Sequence, residues 1–66
     1  MQLIINGEAR QVCDVNSVSD LLLSFKLEHK ILVVELNREI IDRADYGITA
    51  LRDGDRLEIV HFVGGG

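Results

Sequence analysis

The sequence predicts an α+β domain in which one helix lies across a mixed sheet of four to five strands, and three observations carry the prediction. Asn6-Gly7 follows the apolar run Leu3-Ile4-Ile5, the pattern of a two-residue β-hairpin turn. Val18, Leu21, Leu22 and Phe25 recur at helical spacing and form one apolar face. Two later runs, 31–36 and 56–63, have the β-branched content and the alternation of strands. A chain of 66 residues has room for one two-layer core, assigned to residues 1–63, with a flexible glycine tail at 64–66.

In chain order, the hairpin comes first, because Asn and Gly accept the positive φ angles of a type I′ turn. Its second arm spans 9–15, with Val12 and Val15 directed to the core and Arg10, Gln11 and Asp14 left to water. Asn16-Ser17 offers a capping oxygen to a helix of two to three turns, and Ser17 with Asp20 has the spacing of a capping box, with Asp shorter than the usual Glu or Gln. The run Ile31-Leu32-Val33-Val34-Glu35-Leu36 is apolar at both parities, as in an interior strand covered on both faces. Asn37-Arg38 is a turn, Glu39-Ile40-Ile41 a short return strand, 42–50 irregular, and Arg52-Asp53-Gly54-Asp55 another turn. In the last strand, Leu57 and Ile59 alternate with Arg56 and Glu58, so Val60 and Phe62 point away from the core. Burying both the first and the last strand at the sheet centre calls for pairing them in parallel.

Composition excludes several functions. One cysteine forms no internal disulfide, and neither His29 nor His61 has zinc-type partners at ligand spacing, so the fold rests on packing alone. A net charge of −4 argues against nucleic acid, which needs clustered Lys and Arg; it suits solubility and, equally, a basic protein surface. No run has membrane-spanning length and the start lacks the pattern of a secretory signal, so the expected setting is the cytoplasm with no membrane partner. Cys13 has no adjacent His or Lys and reads as a structural residue of the second strand rather than a reactive thiol. Asp53 and Asp55 lack the further oxygen ligands of a calcium site. Nowhere do a nucleophile, a base and an orienting group fall together, so no catalytic side chain is assigned.

The unusual feature is the end. Gly64-Gly65-Gly66 follows a well-patterned strand, where glycines have no turn to form and no core to pack. A tail without side chains threads a channel as narrow as a backbone and presents the Gly66 carboxylate to a partner's active site. A frayed terminus has the same look, and the residues alone leave both readings open. Val60, His61 and Phe62 are the candidate docking residues: Val60 and Phe62, with Ile4, on the outer sheet face, and His61 beside the tail.

The order hairpin, capped helix, Leu-Val-Val strand, short return strand, Arg52-Asp53-Gly54-Asp55 turn and final strand, ending Val60-His61-Phe62-Val63-Gly64-Gly65-Gly66, resembles the ubiquitin-like β-grasp sulfur carriers. The match is with the bacterial sulfur carriers of thiamine biosynthesis, the ThiS family, and it covers the whole chain; Gly64 is one glycine beyond the terminal pair. The resemblance implies that an E1-like, ThiF-type enzyme adenylates Gly66 using ATP and magnesium, that Gly64 and Gly65 thread that enzyme's active site, and that the carrier binds no cofactor or metal itself. It further implies that a cysteine desulfurase supplies sulfur to form a thiocarboxylate, which is delivered to a ThiG-type thiazole synthase. Two alternatives share the fold: a sulfur carrier for molybdenum cofactor synthesis, and a ubiquitin-like modifier or docking module without sulfur chemistry.

Overall fold

The computed structural model describes residues 1–61. Strands β1 (Gln2–Ile5) and β2 (Glu8–Gln11) form the opening hairpin, followed by helix α1 (Val18–Ser24), β3 (Leu32–Leu36), β4 (Glu39–Ile41), a 3₁₀ turn at Arg43–Asp45 and β5 (Arg56–His61). They build a five-stranded mixed sheet in the order β2-β1-β5-β3-β4, with β1 and β5 parallel and the other neighbours antiparallel. The first and last strands thus lie side by side near the middle of the sheet, as the need to bury both requires. The boundary expected at residue 63 and the tail at 64–66 lie outside the described residues.

Both two-residue hairpin turns have positive φ at each central position: Asn6 at 51° and Gly7 at 83°, Asn37 at 49° and Arg38 at 73°. Arg38 adopts this left-handed conformation with a side chain attached, at a steric cost that glycine avoids. The helix begins with a complete capping box. Ser17 Oγ accepts from the Asp20 amide at 3.2 Å, and Asp20 Oδ2 accepts from the amides of Ser17 at 3.2 Å and Asn16 at 3.0 Å. Asp therefore suffices where Glu is usual. At the other end Lys26 turns to a φ of 61°, with Leu27 N–H donating to Leu22 O and Lys26 N–H to Leu23 O, a Schellman closure. Phe25 is the C-cap, so the helix proper is about two turns long.

The core joins Leu3 and Ile5 of β1, Leu57 and Ile59 of β5, Val34 of β3, and Val18, Leu21 and Leu22 of the helix. Val12, Val15 and Leu51 close its ends from loops. The second hairpin arm is shorter than expected: β2 ends at Gln11, and the chain bends through Cys13 and Asp14, the latter at φ 56°. Val12 and Val15 are three apart, so a continuous strand would send them to opposite faces, and the bend turns both inward. Cys13 is consequently an exposed bend residue, not a strand residue. The segment read as irregular holds the 3₁₀ turn and an isolated bridge between Ser17 and Ala50. Its carbonyls at Tyr46 and Thr49 accept from the first helical amides of Ser19 and Val18, which no intrahelical partner can satisfy.

Strand β3 is interior in pairing, lying between β5 and β4, but only one face is covered. Val34 is fully buried, whereas Val33 is exposed. One helix covers one side of a sheet, so apolar residues of the other parity remain at the surface.

Candidate functional site

The candidate site is the region where β5 leaves the sheet. Along this strand Leu57 and Ile59 are buried under the helix, while Arg56, Glu58 and Val60 lie on the outer face. Val60 stands directly across from Val33 of β3, and Glu58 across from Glu35, whose other neighbour on β4 is Ile40. Val60 is 55% exposed and Ile40 70%. Val60, Val33 and Ile40 thus form an apolar stripe stepping outward across three strands, beside two glutamates. Ile4, pairing with Arg56 on the far side of β5, is half-buried and belongs to the same face. Sequence reasoning placed Val60 and Ile4 here but missed Val33, whose run 31–36 reads as covered on both faces, and Ile40, read only as part of a short return strand.

His61 falls on the other face. By alternation it shares the helix side with Ile59, beyond the helix's cover, and it lines a shallow cleft of about 200 Å³ with Phe25, Leu27 and Ile59. Val60 and His61, adjacent in sequence, therefore serve different surfaces. Phe62, Gly64, Gly65 and Gly66 lie outside the described residues.

The anchoring of β5 is built from side chains as well as backbone. Asn6 Oδ1 accepts from the Ile59 amide at 2.8 Å, and Asn6 Nδ2 donates to Ile59 O at 3.1 Å. At its start the strand is held by Asn37, whose Oδ1 accepts from the Arg56 amide at 3.1 Å and whose Nδ2 donates to Asp55 Oδ1 at 3.2 Å. The Asp53-Gly54-Asp55 motif is a turn: Asp53 Oδ1 accepts from the Gln2 amide and Asp55 Oδ2 from the Arg52 amide, so both carboxylates are engaged by backbone. Gly54 adopts a φ of 88°, the left-handed region that such a turn requires.

Among the described residues no group of three or more His, Cys, Asp or Glu side chains could hold a metal ion. His29 is exposed, with Glu28 at 4.0 Å. No described helix is long and apolar enough to cross a membrane. Burial pushes the Tyr46 phenol above its ordinary value of 10.0, with Arg43 opposing and Asp42 adding to the shift. That ring packs against the core from the loop after the 3₁₀ turn, away from the end of β5.

Comparison with known proteins gives this geometry a family. The ThiS family model matches residues 3–66. The sulfur carrier protein ThiS of Bacillus subtilis (strain 168) is 53% identical over 65 residues, covering 97% of this chain and 98% of that protein. A crystal structure of the thiamine biosynthesis protein ThiS from Geobacter metallireducens matches with a TM-score of 0.82 and 35% identity, covering 100% of both chains. A thiazole synthase from Paramagnetospirillum magneticum is 42% identical over 66 residues, which is 100% of this chain and 20% of that longer protein. With the family match running from residue 3 to residue 66 and more than half of the positions shared with a relative of nearly equal length, this chain belongs to the ThiS family.

Proposed function

We propose that the carboxylate of Gly66 is the reactive group of this protein, activated by adenylation and loaded with sulfur. The role of sulfur carrier protein in thiamine biosynthesis, a protein co-substrate and not a catalyst, comes with membership of the ThiS family. In the proposed cycle a ThiF-type, E1-like enzyme joins the Gly66 carboxylate to the α-phosphate of ATP, with magnesium, and releases pyrophosphate. The acyl adenylate is an electrophile that the free carboxylate is not, and sulfide, released from the persulfide of a cysteine desulfurase by a thiol reductant that leaves as a disulfide, displaces AMP. The resulting thiocarboxylate is ionised at neutral pH and is the form in which sulfur reaches a ThiG-type thiazole synthase. Gly64 and Gly65 supply the side-chain-free approach that a narrow active-site channel demands.

The observation that carries this reading is the family match, which extends through Gly66. The similarity to a fifth of a thiazole synthase supports that enzyme as the acceptor. The outer face around Val60, Val33 and Ile40 is the proposed docking surface, with His61 at the opposite rim and Phe62 kept as a docking residue for its place in the sequence. The setting proposed for this cycle is the cytoplasm. Exchange of labelled pyrophosphate into ATP by the adenylating enzyme tests the first step. The proposal expects exchange that depends on this chain and disappears when Gly66 is removed; exchange that persists without Gly66 overturns it.

A further inference from the structure

We infer that Glu35 and Glu58 form a socket for one cationic side chain of the adenylating enzyme, with arginine the best fit; the inference rests on the reading of the outer sheet face as the docking surface. The two glutamates stand directly opposite each other on the antiparallel strands β3 and β5. That register holds their Cβ atoms about 4.5–5.5 Å apart, on the face that the helix does not cover. Like charges so placed oppose strand pairing. Apolar residues border them: Val33 and Val60 form the next pair on the same face, and Ile40 flanks the half-buried Glu35 on β4.

The chain sets no cation of its own on this pair. Arg38 and Arg56 line the same open groove, of about 330 Å³, but among the described residues neither forms an ion pair with Glu35 or Glu58. Residues 62–66 carry no cationic side chain. The repulsion thus costs the fold something and gains it nothing, whereas a guanidinium arriving from outside relieves it. Its planar fork can donate to both carboxylates at once, and the surrounding apolar contacts exclude water from the charges. A second copy of this chain does not fit, because a two-fold contact sets the patch against itself and brings two glutamate pairs together on a protein of net charge −4. A metal ion does not fit either, since among the described residues no group of three or more His, Cys, Asp or Glu could hold one.

The test measures binding of the full-length carrier to the ThiF-type enzyme by titration calorimetry, and melting of the carrier by circular dichroism. Wild type is compared with Glu35→Gln, Glu58→Gln, Glu39→Gln and Val60→Thr. Glutamine keeps the shape of glutamate and removes the charge. Glu39 controls for net charge, because it stands opposite Leu36 and so on the other face of the sheet. Glu35→Gln and Glu58→Gln should each bind about tenfold more weakly, yet melt at or above the wild-type temperature, since the repulsion is gone. Between about 0.1 M and 1 M salt, wild-type affinity should fall further than that of either variant. Glu39→Gln should bind within about twofold of wild type. The inference is overturned if Glu35→Gln or Glu58→Gln binds within about twofold of wild type, loses no more affinity than Glu39→Gln, or melts several degrees lower. Val60→Thr then decides the docking reading separately: weaker binding there keeps the face and discards only the socket. Wild-type binding by Val60→Thr, or no binding by the wild type itself, removes both.

Discussion

Two residues three apart on one strand should separate folding from function. Leu57 is 1% exposed, packed under the helix between β1 and β3. Truncating such a leucine to alanine costs about 2–5 kcal/mol in lost burial and residual cavity. At roughly 0.05–0.15 kcal/mol per residue, a domain of this length has about 3–10 kcal/mol of total stability, so Leu57→Ala removes between about a fifth of it and all of it. Val60 is 55% exposed on the other face, and Val60→Thr keeps its volume and its β-branched shape while adding a hydroxyl that water can satisfy. The stability cost is under about 1 kcal/mol, a melting shift of a few degrees. Docking changes the balance, because a hydroxyl desolvated at an apolar contact without a partner costs about 1–3 kcal/mol, or roughly 5- to 150-fold in affinity. Thermal unfolding by circular dichroism and titration calorimetry against the adenylating enzyme read the two effects. Leu57→Ala should melt about 10 °C or more below wild type; Val60→Thr should melt near wild type and bind at least fivefold more weakly. If Val60→Thr binds within twofold of wild type, the outer face is not the docking surface.

Other perturbations follow from the same geometry. Ser17→Ala and Asp20→Ala should each lower stability by about 1 kcal/mol, and the double variant by less than the sum, because the two side chains form one reciprocal cap; urea titration measures this. Arg38→Gly should raise the melting temperature, since it relieves a side chain held at φ 73°, with a net gain of about 0.5–1 kcal/mol after glycine's extra unfolded-state entropy. Burial raises the Tyr46 phenol above 10.0, so the folded state retains a proton that the unfolded chain loses first. Its contribution is complete below pH 10.0 and fades as pH rises through the folded value, and Tyr46→Phe should unfold less steeply with alkali over that window.

Much of the fold was legible because local chemistry and global topology agree. Asn6-Gly7 announces its turn, the Val18, Leu21 and Leu22 spacing announces the helix, and the need to bury both end strands gives their parallel pairing. The bend after β2 was not, because Val12 and Val15 look like strand residues until their spacing of three is set against the strand period of two. Leu51 is buried from within a turn-rich segment, where no periodicity marks it. The exposure of Val33 and Ile40 depends on there being a single helix to cover two faces, which is a property of the whole chain. The pairing of Asn6 with Ile59 joins residues 53 apart, and nothing local to Asn6 distinguishes a turn-forming Asn from one that also makes it. The Gly66 assignment came from the resemblance to sulfur carriers, not from packing.

The most direct test of the account is the intact mass of the protein after incubation with ATP, magnesium, a cysteine desulfurase with cysteine and a thiol reductant, and the ThiF-type enzyme. The account predicts a mass increase equal to replacing one oxygen by sulfur, located at Gly66 by fragmentation and absent when that residue is deleted. An unchanged mass, with the same enzymes shown to load another carrier, would contradict it.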